Sequence, residues 1–217
     1  MGRHTRRAPV GRKSETVIRQ KIVVEAARIM AEEGVRDFQS AKRKAARRLS
    51  VPEDKNWPGN AEIEAALKRH LGLFHQEWPQ VLRELRESAI EAMALFRDFA
   101  PKLVGEVLSG AVTRFSEVQL HLAASAPEDI ALFLAVHNIP YDQEERRLRY
   151  NGDRVAQVPV FRFMAGETPF ALYVFSPEAM REHPLSPIDG QPMHRAGARE
   201  LAALVGASPA EPSAGPE

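Results

Sequence analysis

The sequence predicts an α+β protein: a helical N-terminal region followed by a small mixed β-sheet with flanking helices. Three observations predict it. Apolar residues recur at spacings of three and four from about Ser14 to Phe99, the repeat of an amphipathic helix. After Pro101 the period shortens, and Ser116-Glu117-Val118-Gln119-Leu120 alternates polar with apolar, as a half-buried strand does. Turn residues then divide the second half into short segments, with Asn151-Gly152 the clearest hairpin signal. A chain of 217 residues, 44% apolar and 27% charged, has the composition of a globular protein and enough length to bury a core.

Residues 1–13 carry four Arg and one Lys without apolar periodicity, and are expected to form a disordered basic arm. A first helix is expected from about Ser14, through Ile18, Ile22, Ala26, Ile29 and Met30, ending at Gly34. A second covers Asp37–Leu49, with Phe38, Ala41, Ala45 and Leu49 inward and Lys42, Arg43, Lys44, Arg47 and Arg48 outward. Pro52 to Gly59 reads as a turn. Asn60 is placed to cap a third helix running to about Gln76, and Pro79 opens a fourth running to Phe99 on a stripe of Leu82, Leu85, Ala89, Ala92, Met93 and Phe96. Strands are expected at Leu103–Leu108 and Glu117–Ala123. A helix over Pro127–His137 follows, capped by Ser125, and then strands at Arg146–Tyr150, Val155–Met164 and Phe170–Phe175. Pro159 argues for an edge or a break in the second of those last strands. A short helix at Gly197–Val205 precedes a tail. The expected organisation is therefore an arm (1–13), a helical region (14–100), an α/β domain (101–206) and a disordered tail (207–217).

The chain has no cysteine, which excludes disulfides, thiolate zinc sites and cysteine nucleophiles. No run of 18 apolar residues would span a bilayer, and the basic N-terminus lacks the apolar segment of a secretory signal. A reducing cytoplasm and no membrane association are the expectation. Net charge is +1, but unevenly distributed: residues 1–55 hold 15 Lys/Arg against 7 Asp/Glu, and the rest of the chain is acidic. That asymmetry suits a nucleic-acid-facing N-terminus, with Lys42, Arg43, Lys44, Arg47 and Arg48 as candidate phosphate contacts. It equally suits a solvated helix face beside an unfolded tail.

The most informative stretch is Leu103–Ala123. Gly105 and Gly110 follow an apolar run, and Glu117 comes twelve residues after Gly105. Alternation puts Glu117, Gln119 and His121 on one strand face and Val118 and Leu120 on the other. Residues 94–124 resemble the nucleotidyltransferase superfamily of the DNA-polymerase-beta type, particularly its small stand-alone members. There, a helix leads into a strand ending in Gly-Ser, a second Gly follows, and a Ser-Asp-hydrophobic-Asp strand holds two Mg²⁺ ions. Gly105-Glu106 matches the Gly-Ser, Gly110 the second Gly, and Ser116-Glu117-Val118-Gln119-Leu120 the acidic strand. The resemblance implies that Gly105, Glu106, Gly110 and Ser116 line a nucleoside triphosphate, with Glu117 as metal ligand and Glu117 and Gln119 as catalytic residues. The sequence departs from the pattern at Glu106, Glu117 and Gln119. An uncharged amide in place of one anionic ligand weakens a two-metal site, because Mg²⁺ dehydrates reluctantly. Asp142 and Asp153 are the nearest candidates for the family's third carboxylate.

The resemblance thus implies a nucleotidyltransferase-like protein, catalytically degenerate, binding a nucleotide or nucleic acid. The alternative is a non-enzymatic nucleic-acid-binding or protein-interaction module using the basic helices, or a homodimer formed through the Pro79–Phe99 stripe. Arg146, Arg147 and Arg149 either grip an anion or guard an exposed sheet edge. Of the seven histidines, His121 alone shares a face with Glu117 and Gln119. His70 and His75, five apart on a helix, point away from each other.

Overall fold

The computed structural model describes residues 10–52 and 57–206. Among them lie seven α-helices and a five-stranded mixed sheet, an α+β architecture with a helical N-terminal region. The chain forms two compact units, residues 1–74 and 75–217.

The first unit contains α1 (Val10–Glu33), α2 (Phe38–Arg48) and α3 (Asn60–Phe74). Its core joins Ile22, Val23, Ala26, Ile29 and Met30 of α1 to Ala41, Ala45 and Ala46 of α2 and Ile63, Leu67 and Leu71 of α3. Asp37 caps α2 by accepting the Ser40 N–H at 2.7 Å, and Glu62 accepts the Gly59 N–H at 2.9 Å beside the start of α3. Helix α1 starts at Val10, four residues ahead of the expected start, so only residues 1–9 of the expected arm lie outside the described residues. The tail 207–217 and positions 53–56 of the expected turn also lie outside them.

The second unit begins with α4 (Trp78–Leu95) and a single 3₁₀ turn at Arg97–Phe99. Strand β1 (Lys102–Val104) leads into α5 (Gly105–Ser109), and β2 (Val118–Ala123) into α6 (Pro127–Val136). The hairpin of β3 (Asp142–Arg149) and β4 (Val155–Ala165) precedes β5 (Thr168–Phe175), and α7 (Ala198–Gly206) closes the unit. The strands lie in the order β1-β2-β5-β4-β3, with β2 and β5 parallel and every other pair antiparallel. One face is apolar: Leu103, Val118, Leu120, Leu122, Phe161, Phe163, Phe170, Leu172 and Val174 belong to a core with the α4 stripe and with Ile130 and Leu134 of α6. Phe96, which caps α4, joins this layer, its ring centroid 5.1 Å from Phe133 and 6.3 Å from Phe163. The α4 stripe is therefore interior, which removes it as a dimer surface.

Three local expectations are corrected, and a fourth, at Pro159, is decided in favour of an edge position over a break. The segment expected as one strand, Leu103–Leu108, is a three-residue strand followed by a helical turn, because Gly105 leaves the extended region at φ +74°. Helix α6 is capped by Asp129, whose carboxylate accepts the Ala126 N–H at 3.0 Å, rather than by Ser125. Strand β4 runs unbroken through Pro159, opposite Glu145. The pairing of β4 with β5 covers only 160–165, so Pro159 sits where β4 has a neighbour on one side alone and a missing N–H is tolerated. His75 lies beyond the end of α3 and bonds Glu77 at 3.2 Å, so it does not share a helix with His70.

Candidate functional site

The second sheet face carries the polar residues. One row across it runs Val104, Gln119, Ala171, Arg162, Asp142, and the next runs Lys102, His121, Tyr173, Val160, Glu144. The Val118–Leu120–Leu122 side is committed to the core, so period-two alternation sends Glu117, Gln119 and His121 to this face.

Gly105 occupies the left-handed region at φ +74°, and a Cβ there would lie 2.7 Å from Gln119 Oε1. Glycine meets both constraints without strain or displacement of Gln119. This contact joins the start of α5 to β2 and brings Glu106 over the strand, where its Oε1 accepts the Glu117 N–H at 3.3 Å. Gly110, at φ +86°, ends α5, and its carbonyl accepts the Trp78 indole N–H at 3.2 Å. The Ser116 hydroxyl accepts the Thr113 N–H at 2.9 Å and shapes the loop before β2. Arg86 of α4, missed by the sequence reading, holds the far end of this assembly. Its guanidinium donates to the carbonyls of Val107 (3.2 Å), Leu108 (3.3 Å) and Leu204 (3.4 Å), the exposed dipole ends of α5 and α7.

Glu117 is 3% exposed, and both of its carboxylate oxygens have donors. Oε1 accepts Gln119 Nε2 at 3.2 Å, and Oε2 forms an ion pair with Arg162 Nη1. Arg162 reaches Glu117 across β5, over the position filled by Ala171, whose small side chain leaves the path open. Its Nε bonds Glu144 at 2.8 Å, and Glu144 in turn accepts Arg146 at 2.7 Å. The Arg162 hydrogen bond, with Arg146 behind it, holds the Glu144 carboxyl below the ordinary range for a glutamate. A chain of alternating charges, Glu117–Arg162–Glu144–Arg146, thus crosses the sheet from β2 to β3. Arg162 was missed, although an arginine between Phe161 and Phe163 in an otherwise apolar strand signals a buried partner.

These residues do not suit a divalent cation. The guanidinium already neutralises Glu117, the position beside Gln119 on the adjacent strand is Ala171, and Glu106, whose Oε1 accepts the Glu117 N–H, completes no cluster of three potential ligands among the described residues. Asp142 lies on β3, three strands from β2, and Asp153 sits in the 151–153 turn, 3.5 Å from Arg149. Neither joins Glu117.

His121 is 1% exposed on the same face, with ring centroids 5.4 Å from Tyr173 and 4.7 Å from Phe175. Its Nδ1 accepts the Arg195 Nε–H at 2.9 Å, which fixes it as an acceptor. Burial, reinforced by the adjacent Arg195 charge, drives its pKa well below that of a free imidazole. Arg195 arrives on the proline-rich segment after β5, is anchored by the carbonyls of Met180 (2.6 Å) and Glu182 (3.1 Å), and lies over the Phe175 ring. That segment is therefore a clasp over the polar face.

A cavity of about 260 Å³ opens at the opposite end of β2 from Glu117, where Pro159 parts β4 from β5. Arg154 and Tyr150 border it, stacked at 4.2 Å, and Arg154 pairs with Glu182.

In the first unit the basic candidates separate. Lys42 is 4% exposed rather than outward. It shares the helix face of Ala45 and Ala46, whose small side chains admit its stem, and burial lowers its pKa. Lys44 pairs with Glu33 at 2.6 Å, and Arg48 with Glu33 at 2.6 Å and Glu25 at 3.1 Å. Arg43 and Arg47 remain as exposed cations. Two of the five expected phosphate contacts are thus spent on α1 carboxylates, and a third is buried.

No family model matches the chain, and no curated protein matches it. Among solved structures, the chain is similar to one described as the structure of the GLD-2/RNP-8 complex. The identity is 21% over 49% of this chain and 44% of that chain, with a TM-score of 0.30. The chain thus spans less than half the length of that solved structure's chain. No helix among the described residues is long and apolar enough to cross a membrane.

Proposed function

We propose that residues 75–206 are a nucleotidyltransferase-like module that has lost metal-dependent transfer and binds a nucleotide or nucleic acid instead. The ion pair between Arg162 and Glu117 carries this reading. A two-metal transferase needs its strand carboxylates free to hold cations that neutralise charge developing at phosphorus. Here the one surviving carboxylate has an internal cation of its own, tethered to β4 and held from behind by Glu144. A guanidinium is permanently charged, so it does not give up the pair by losing a proton. The glycine at position 105, locked against Gln119, supports the scaffold half of the reading. It preserves the close approach of turn and strand that the motif requires.

Thermal melting of the full chain with each nucleoside triphosphate, with and without Mg²⁺, tests this. The expected result is that any stabilisation by a triphosphate persists in EDTA and that no pyrophosphate is released. Stabilisation that requires Mg²⁺ and disappears in Glu117→Ala, together with pyrophosphate release, would overturn the reading.

A further inference from the structure

We infer that the chain self-associates through β3, two copies pairing antiparallel at this edge to form one continuous sheet. Among the described residues, strand β3 is the sheet's outer strand, and β4 is its one neighbouring strand. It is eight residues long, its side chains exposed except for half-buried Glu144 and Leu148, and it contains neither proline nor glycine. An edge of that length is a template for another strand.

The backbone says which groups are free. The Arg149 carbonyl accepts the Leu185 N–H at 2.6 Å, so it points away from β4. In an antiparallel ladder the N–H and C=O of a residue point to the same side and alternate along the strand. Gln143, Glu145 and Arg147 therefore present their backbone groups to the open edge, and the even-numbered residues bond β4.

The side chains say which partner fits. The strand reads Asp-Gln-Glu-Glu-Arg-Arg-Leu-Arg, acidic in its first half and basic in its second. Charges on an edge ordinarily repel an incoming strand, but this order is complementary to its own reverse. A two-fold axis perpendicular to the sheet keeps the faces aligned, so an outward residue must pair with an outward residue. The register centred on Glu145 uses the three open residues and leaves Arg149 to Leu185. In it Gln143 faces Arg147 of the second copy, each Glu144 faces the other copy's Arg146, and Asp142 faces Leu148. The two Glu144–Arg146 pairs fall at non-hydrogen-bonded positions, where cross-strand side chains come closest. The two Glu145 side chains meet at the axis. This is the one like-charge pair directly opposite, and each has the other copy's Arg147 diagonally beside it.

Light scattering and sedimentation equilibrium on the full chain, near 50 µM, test the inference. The expected mass is twice the 24.2 kDa of one chain. Glu145→Gln removes the central repulsion and is expected to tighten the dimer about two- to fivefold. Arg146→Glu places carboxylates opposite each other twice and is expected to weaken it at least about tenfold. Glu145→Pro removes an N–H that points away from β4, and is expected to give a monomer that melts as the wild type does once the wild type is diluted to monomer. A wild-type monomer at this concentration overturns the inference, as does a dimer unmoved by Arg146→Glu and Glu145→Gln. Should Glu145→Pro fail to fold, the opposite shifts of those two variants decide.

Discussion

Gly105→Ala probes the junction on which the candidate site depends. Two costs are built into the position. An alanine at φ +74° is in the left-handed region, a penalty of roughly 1–2 kcal/mol. Its Cβ would also fall 2.7 Å from Gln119 Oε1 and 3.2 Å from Gln119 Cδ, well inside contact distance. The glutamine side chain must swing away and give up its bond to the Glu117 carboxylate, a charge-assisted bond of about 1.5–3 kcal/mol. The total is about 2.5–5 kcal/mol. Chemical denaturation of the full chain, followed by a probe in residues 75–206, measures it. Pairing the variant with Gln119→Ala separates the two costs, because removing the amide removes the collision but not the backbone strain. The double variant should be more stable than the sum of the single changes implies, by at least about 1 kcal/mol. A cost below about 0.5 kcal/mol for Gly105→Ala, or strict additivity with Gln119→Ala, refutes the claim that these residues lock turn to strand.

Arg162→Met should cost about 3 kcal/mol, since it leaves the Glu117 carboxylate buried without a cation; adding Glu117→Gln should recover at least about 1 kcal/mol. Stability of Arg162→Met within about 0.5 kcal/mol of wild type in urea melts would show that the pair does not hold β4 to β2. His121 supplies a pH dependence. Its folded pKa lies well below the unfolded value near 6.5, so under acid the unfolded chain binds one more proton than the folded one. The contribution is complete above about pH 6.5 and is lost as pH falls toward the folded pKa, by up to about 1.4 kcal/mol per pH unit. Urea melts at several pH values should show a shallower acid loss in His121→Gln, which keeps an acceptor for Arg195. Equal slopes in the two proteins would contradict the assignment.

How much of this was legible in the sequence differs between backbone and side chains. Local signals carried the elements: the α4 stripe, the alternation around Gln119 and the Asn151-Gly152 corner all reappear in the structure at nearly the expected places. Gly105 was recognised as a special position, but its consequence was not, because a turn-forming glycine and a helix-initiating one look alike in one dimension. Lys42 was assigned outward because lysine is seldom interior, whereas three neighbouring alanines left room for its stem. The residues that define the candidate site's electrostatics were the least legible. Arg162 lies 45 positions from Glu117, and Arg195 lies 74 from His121. No periodicity reaches that far, so only the order of the strands could bring them together.

That order also governs how the chain can be assembled. Residues 142–165 form a hairpin whose internal pairing uses no other strand, and β1 can meet β2 soon after it is made. The two pieces have no shared border until residues 168–175 slide between them. A nascent chain that stops short of residue 175 therefore holds two half-sheets with raw inner margins, and synthesis must finish this last strand before either margin is sealed.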